Sequence, residues 1–277
     1  MDASLPLIAP SSALAAAVAQ HVVATWLLGL LPACALGAAA LWWGHRWRVP
    51  HEPLQGRGLP LATAHLAAAA LLWLGAAGLF SLVAAQVAAG RGIVAFDTAL
   101  HAALAQTVPT AALHWALVPT WLGNPPTVVA LTLGVTGFLL WRRQRVLALG
   151  WVAAVAGNAL LNKALKHGIE RVRPLHEHGV LVETGFSFPS GHASGTLATY
   201  GMLAYLVVRL APRAWHLPAV LAAAALAWSA ACARVVLQVH YASDVLVGLC
   251  NGAAWLALCI LSVELVRHRT PGLHRRG

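Results

Sequence analysis

Long apolar runs recur along the whole chain and are separated by short polar connections. A helix that crosses a membrane needs about 20 mostly apolar residues. Seven segments meet this requirement, at residues 20–43, 61–88, 122–141, 147–165, 192–210, 216–234 and 244–266. The pattern therefore predicts an all-α fold, a polytopic transmembrane helical bundle.

The first apolar segment is the least regular. Residues 11–43 form one run rich in Ala and Leu, interrupted by Gln20, His21 and Pro32, which fits a span preceded by an interfacial turn. The run is too long for the apolar part of a signal peptide, so we expect it to remain in the mature protein. We accordingly divide the chain into an N-terminal hydrophobic segment with its loop (1–58), a membrane core (59–266) and a basic tail (267–277).

Segment 89–121 resembles neither a clean span nor a clean loop. Phe96, Leu100, Leu104 and Val108 recur in it at helical spacing, with polar residues between them. An apolar face beside a polar one is typical of a helix that lies at the membrane surface. We therefore expect an interfacial helix in this segment.

Arginines mark one side of the predicted bundle. They cluster in alternate connections, around residues 46–57, 142–145 and 209–213, and in the C-terminal tail. Cytoplasmic loops carry an excess of Lys and Arg, so these connections are expected to face the cytoplasm. In a bacterial inner membrane the periplasmic side would then hold the remaining connections, near 89–121, 166–191 and 235–243.

The composition is typical of a membrane protein and argues against nucleic acid as a partner. Of the residues, 60% are hydrophobic and 9% are charged, whereas soluble domains carry about 25% charged residues. The net charge of +10 comes largely from arginines at the ends of apolar runs, so we expect no nucleic-acid partner. We expect neither a disulfide nor a metal site at the cysteines, because they lie inside apolar segments and lack the spacing of metal ligands. They are Cys34, Cys232, Cys250 and Cys259.

Several residues able to bind an anion lie in the outer connections of the second half. Lys166, Arg173 and Arg234 depart from the positive-inside trend, and an anion between them would explain their position. Ser190 precedes an apolar helix and is a plausible N-cap, so the Ser190-Gly191 turn can offer free N–H groups to phosphate oxygens. Taken alone, this turn fits an ordinary helix start equally well.

His240 and Asp244 are four residues apart, which places them on one face of a helix. The carboxylate can then accept the proton on one ring nitrogen and leave the other nitrogen free to attack. Taken alone, a capping Asp beside an interfacial His explains the pair as well.

Together these residues resemble the type 2 phosphatidic acid phosphatase superfamily. Its three motifs are matched by Lys166-x6-Arg173-Pro174, by Pro189-Ser190-Gly191-His192 and by Arg234-x5-His240-x3-Asp244. The resemblance covers residues 60–266 and implies a six-helix phosphatase core, to which the first hydrophobic segment is an addition. The chain departs from the family at Ala233, where a Ser is common, and so lacks one hydroxyl beside the phosphate.

The resemblance also implies a mechanism. His240 would attack phosphorus to form a phosphohistidine, Asp244 would orient it, and His192 would act as general acid. The equatorial oxygens would be held without a metal or other cofactor, by Lys166, Arg173, Ser190, Gly191 and Arg234.

The function expected from this resemblance is hydrolysis of a lipid phosphate, with undecaprenyl pyrophosphate, phosphatidylglycerol phosphate and phosphatidic acid as candidate substrates. The alternatives are a phosphotransferase that uses a polyprenyl pyrophosphate donor and a non-catalytic binder or transporter of anionic lipids. Vanadium haloperoxidases share the superfamily but are soluble, which the apolar segments argue against. Membrane lipids are the expected partners, and the sequence does not determine the oligomeric state.

The outer loop contains further ionisable residues that we expect to be solvated and outside the site. Contact with a lipid headgroup is the alternative to a solvated loop of mixed charge, and the residues are His167, Glu170, His176, Glu177, His178 and Glu183.

Overall fold

The computed structural model describes residues 8–46, 58–175 and 180–269. Within these ranges every regular element is a helix: α1 (Ile8–Gln20), α2 (Val22–Arg46), α3 (Gly58–Ala88), α4 (Ile93–Thr107), α5 (Thr110–Gly123), α6 (Pro125–Trp141), α7 (Arg145–Ile169), α8 (Gly191–Leu210), α9 (His216–Val236) and α10 (Ala242–Arg269). A single 3-10 turn precedes α9, at Arg213–Trp215. The all-α prediction is confirmed. Most of the basic tail, like His176, Glu177 and His178, lies outside the described residues.

The chain is a multi-pass membrane protein. Six stretches of the described chain are long and apolar enough to cross a bilayer, at Val22–His45, Ala70–Ala88, Thr110–Trp141, Arg145–Ile169, Arg213–Val236 and Ala242–Arg267. Large apolar side chains on these stretches are exposed, including Leu31, Leu71, Leu133 and Leu160. Such a surface requires a lipid environment.

The remaining predicted segment, 192–210, forms helix α8 but is not among the six apolar stretches. Its sequence includes Ser194, Thr196 and Thr199, all of which are buried. Helix α8 packs against α7, α9 and α10, so protein rather than lipid surrounds much of it. A helix in the middle of a bundle does not need the apolar surface of a lipid-facing one.

The N-terminal run consists of two helices that meet at His21, so the predicted break at this position is present. Helix α1 packs on α4, and α2 packs on α9. Trp26 Nε1 donates to Ser229 Oγ at 3.2 Å, and Trp228 Nε1 donates to the Trp26 carbonyl oxygen at 2.9 Å. The first hydrophobic segment is therefore joined to the bundle through side chains of α9.

Segment 89–121 contains two helices, so the expectation of a single helix is wrong. The apolar face of α4 is covered by protein, because Leu100 and Leu104 share a buried cluster with Ala15 of α1 and Val236 of α9. The interfacial position of this segment stays a prediction.

Helices α5 and α6 form one apolar stretch that is interrupted at Asn124, whose backbone is extended (φ −67°, ψ 144°). Pro125 and Pro126 follow, and a residue before proline avoids the helical region. The predicted span 122–141 matches α6 to within a few residues.

Helix α10 approaches the start of α8 closely. A Cβ atom at Gly248 would lie 2.6 Å from the Ser190 carbonyl oxygen, and one at Gly252 would lie 2.7 Å from the Ser194 carbonyl oxygen. A larger residue at either position would therefore force the backbones apart. This confirms that the two glycines allow close helix packing, and it brings the start of α10 to the turn before α8.

Candidate active site

Four helix ends converge to form the site: the ends of α7 and α9 and the starts of α8 and α10. Lys166 lies in the last turn of α7, Gly191 begins α8, Arg234 lies near the end of α9, and Asp244 lies in the first turn of α10. The Ser190 backbone N–H donates to the Asp244 carbonyl oxygen at 2.9 Å and so joins the second motif directly to the third. Residues far apart in sequence are thus held in one place.

His240 and Asp244 are both buried, with exposures of 3% and 0%. The His240 Nδ1–H faces Asp244 Oδ2 at 3.4 Å, and Nε2 lies 3.2 Å from Arg173 Nη1. A guanidinium can only donate, so Nε2 is the accepting nitrogen and carries the lone pair. This geometry supports the predicted role of Nε2 of His240 as the nucleophilic atom.

The protonation of His240 suits this role. Burial lowers the pKa of His240 well below its ordinary value of 6.5, and the positive charges of Arg234, Arg173 and Lys166 lower it further. The imidazole is therefore neutral at neutral pH, the form in which a ring nitrogen can attack.

Arg234 is fully buried. Its Nη2 donates to Glu183 Oε1 at 2.5 Å, while its Nε and Nη1 have no hydrogen-bond partner in the part of the chain that the structure describes. A buried guanidinium with unused donors is costly unless an anion binds it. This side chain is the strongest sign of an anion site in the molecule.

Arg173 and Lys166 lie beside Arg234. Arg173 is fixed by donation from Nε to the Gly185 carbonyl oxygen at 3.1 Å and from Nη1 to the Val239 carbonyl oxygen at 2.8 Å. Lys166 donates to a backbone carbonyl of the loop before α8, that of Phe186, at 2.5 Å. Arg173 and Lys166 are thus held by backbone oxygens rather than left mobile in solvent, whereas Arg234 is held by the Glu183 carboxylate.

Ser190 is the N-cap of α8, as predicted, and its Oγ accepts from the Ala193 N–H at 3.4 Å. Its hydroxyl proton is still available for a ligand, and the first-turn N–H groups of α8 start at Gly191. The predicted cradle of backbone N–H groups therefore lies next to His240 and Asp244.

His192 follows on the first turn of α8, and its Nε2 lies 3.0 Å from Asn124 Oδ1. An Nε2–H donated to this amide oxygen leaves Nδ1 as the nitrogen able to exchange a proton. The His192 ring also interacts electrostatically with Arg234, Glu183 and His240. Asn124 thus orients the predicted general acid, and the sequence pattern gave no sign of this role.

Two residues outside the predicted site, Arg171 and Asp97, form a buried ion pair behind the predicted catalytic residues. Arg171 donates from Nη2 to Asp97 Oδ2 at 2.9 Å and from Nη1 to Asp244 Oδ1 at 2.6 Å. Asp97 also accepts from the backbone N–H of Ser243 at 3.1 Å and from its hydroxyl. The Arg171 guanidinium lies over the Tyr241 ring, 4.1 Å from its centre. Arg171 therefore connects α4 to the aspartate that orients His240.

Glu183 is the residue whose environment differs most from the expectation of a solvated loop. Its carboxylate contacts Arg234 Nη2 at 2.5 Å and lies 3.9 Å from Arg173 Nη2. Unpaired cations attract any nearby carboxylate, and Glu183 lies on the loop that closes over them. It belongs to the site.

Comparisons with known proteins agree with this geometry. Residues 145–267 match the family model described as the PAP2 superfamily. A phosphatidylglycerophosphatase B from Bacillus subtilis (strain 168) is 40% identical over 102 residues, which cover 34% of this chain and 46% of that protein. The chain thus matches about half the length of this curated relative.

A solved structure provides a second comparison. The crystal structure of a transmembrane PAP2-type phosphatidylglycerolphosphate phosphatase from Bacillus subtilis superposes with a TM-score of 0.61 and 28% sequence identity. The superposition covers 72% of this chain and 96% of that one. The helical bundle around the site is therefore similar in the two proteins.

Proposed function

We propose that this chain, whose residues 145–267 match the PAP2 superfamily model, is a membrane lipid phosphatase acting through a phosphohistidine on His240. The observation that supports this most is the neutral, oriented imidazole of His240 beside the fully buried Arg234 with unused donors. An anionic lipid binder or transporter would need the cations but not the oriented nucleophile.

The reaction proceeds in two steps. The Nε2 lone pair of His240 attacks phosphorus and the bond from phosphorus to the lipid oxygen breaks. His192, which takes up a proton on Nδ1 when the anionic lipid phosphate binds, gives that proton to the lipid oxygen. A water molecule then loses a proton to His192 and attacks the phosphohistidine, which releases phosphate and restores both histidines. Asp244 holds the ring of His240 and stabilises the positive charge that develops on it.

Positive charge from the protein stabilises the transferring phosphoryl group. Lys166, Arg173 and Arg234, with the Ser190 hydroxyl and the Gly191 N–H, bind the equatorial oxygens. In the described residues no cluster of three or more His, Cys, Asp and Glu could hold a metal ion. We infer that these side chains do the work that Mg²⁺ does in other phosphoryl transfers.

Phosphatidylglycerol phosphate is the first substrate to test, because the names of both Bacillus subtilis relatives refer to its dephosphorylation. Undecaprenyl pyrophosphate and phosphatidic acid are the other candidates. The arginine distribution supports a site on the periplasmic side of a bacterial inner membrane. Hydrolysis by sealed vesicles of known orientation, before and after detergent, tests that side.

Phosphate release by the purified protein tests the function directly. We expect release from at least one of these three lipids in detergent with EDTA present, at a rate close to that with added Mg²⁺. Loss of release in EDTA would contradict the metal-independent mechanism. No release from any lipid, with transfer to a second lipid instead, would favour the phosphotransferase alternative.

The role of His192 predicts an effect that depends on the leaving group. His192→Ala should slow hydrolysis of a lipid alkyl phosphate by about 10²–10⁴-fold, the usual contribution of a general acid. An aryl phosphate such as p-nitrophenyl phosphate releases a stable anion without protonation and should lose less than about tenfold. Steady-state kcat values on both substrates measure this, and equal losses would contradict the acid role.

A further inference from the structure

Glu183 is an anion at the centre of a cationic site. It lies on the loop before α8, its side chain is 26% exposed, and its carboxylate bridges Arg234 at 2.5 Å and Arg173 at 3.9 Å. Burial acts to raise the pKa of Glu183, but Arg234, His192 and Arg173 together lower it below its ordinary value of 4.5. The carboxylate is therefore charged at neutral pH.

The two guanidinium groups that hold Glu183 are the ones that must hold phosphate. Arg173 also contacts Nε2 of His240 at 3.2 Å, so an oxygen bound to this guanidinium lies beside the nucleophile. Two anions cannot accept from the same donors at once without strong repulsion. The Glu183 carboxylate therefore takes a position that a bound phosphate needs.

The loop leaves room for the carboxylate to withdraw. A cavity of about 510 Å³ opens beside the site, and Arg173, Glu183, Gly185 and Phe186 are among the residues that line it. Gly185 has a positive φ of 77°, and a side chain at this position would meet no atom within 4 Å. Glu183 can thus turn toward the cavity while Arg173 and Arg234 stay in place.

We propose that the Glu183 carboxylate is an internal competitor of phosphate, which occupies Arg173 and Arg234 between turnovers and speeds the departure of the product. This proposal rests on the proposed function, since the displaced ligand is the phosphoryl group. The lipid substrate also binds through its tails and headgroup, which offsets the competition from Glu183. Free phosphate binds through its oxygens alone. Glu183 therefore selects against the retention of inorganic phosphate.

Removal of the charge tests the competition. Glu183→Gln and Glu183→Ala should each bind vanadate and inorganic phosphate about tenfold more tightly, which corresponds to about 1.4 kcal/mol. The Ala variant is included because a Gln carbonyl oxygen can still accept from Arg234. Inhibition constants in the hydrolysis of phosphatidylglycerol phosphate and the KM for this lipid should both fall.

Glu170→Gln is the matched control, because it removes the same charge from an exposed residue of the same connection. Its inhibition constants should equal those of the unchanged protein. Unchanged or weaker binding of vanadate in both Glu183 variants would overturn the proposal.

Direct binding separates this proposal from the proposed function. Binding of ³²P-phosphate to the protein in lipid nanodiscs needs no turnover, so it can be measured even if no lipid is hydrolysed. Tighter binding in the Glu183 variants than in Glu170→Gln supports the competition, and equal binding overturns it. Absence of hydrolysis in the same preparations would count against the phosphatase function alone.

Discussion

Replacement of His240 by Gln should abolish lipid phosphate hydrolysis, with a loss in kcat of about 10⁴-fold or more, because it removes Nε2, the nitrogen that we propose attacks phosphorus. Gln fills much of the same buried space and can donate to Asp244, so the protein should still fold. Phosphate release at saturating lipid gives kcat, and the thermal unfolding midpoint in detergent verifies the fold.

Trapping of the intermediate makes this prediction more specific. Brief reaction with ³²P-labelled lipid and an alkaline quench should leave label on the unchanged protein, and acid should then release it, as expected for a phosphohistidine. His240→Gln should retain no label. His114→Gln serves as the control, because His114 is exposed on α5 and bonds only to the Thr110 carbonyl oxygen in its own helix. Label that persists in His240→Gln would assign the nucleophile to another residue.

The residues of the reacting face were accessible from the sequence because they come in short fixed spacings. Spacing of four on a helix places His240 beside Asp244 whatever the rest of the fold does. Ser190 before an apolar run predicts an N-cap in the same local way. Taken alone, each local pattern also fitted an ordinary helix start or cap, and the resemblance to the phosphatase superfamily joined them into one site.

The supporting residues were not accessible, because their contacts join distant parts of the chain. Arg171 and Asp97 are 74 residues apart, and His192 and Asn124 are 68 apart. No period or spacing relates such partners. Asp97 had one visible sign, a carboxylate on an otherwise apolar helical pattern, and a buried carboxylate requires a partner.

The helices, like the site residues, were predictable where the signal is local in sequence and not where it depends on distant contacts. Apolar runs long enough to cross a membrane predicted most helices to within a few residues. The break at Asn124 could also have been found, since Pro125 and Pro126 follow it. Helix α1 covers α4 through packing between segments that are distant in sequence, and no local pattern reveals such packing. The sequence therefore predicted a single helix at the membrane surface for segment 89–121.

Loss of the ion pair between Arg171 and Asp97 should lower both the stability of the protein and its activity. Arg171→Met should lower the free energy of unfolding by about 3–5 kcal/mol, the usual cost of removing one partner from a buried ion pair. Asp97 and Asp244 are 1% and 0% exposed, so neither can turn to water for a new partner. Without Arg171, Asp244 loses the donor that fixes its carboxylate and should hold His240 less well, so kcat should fall too.

Two comparisons separate this effect from general disruption. Arg145→Met removes the same charge from an exposed residue and should leave the unfolding midpoint and kcat nearly unchanged. Asp97→Asn added to Arg171→Met should recover part of the lost stability, because one of the two unpaired carboxylates is then gone. An Arg171→Met protein that melts like Arg145→Met would refute the bridging role.

The pH dependence of the Arg171→Met defect follows from the same charges. Burial already raises the pKa of Asp97 above its ordinary value of 3.8, and Arg171 counteracts that rise. Removal of Arg171 raises this pKa further, so the folded variant binds a proton that the unfolded chain has released at the same pH. A carboxyl with a raised folded pKa favours folding more as pH falls toward the unfolded value. The stability gap between Arg171→Met and the unchanged protein should therefore narrow on acidification, whereas a defect of apolar packing would keep the same size at every pH.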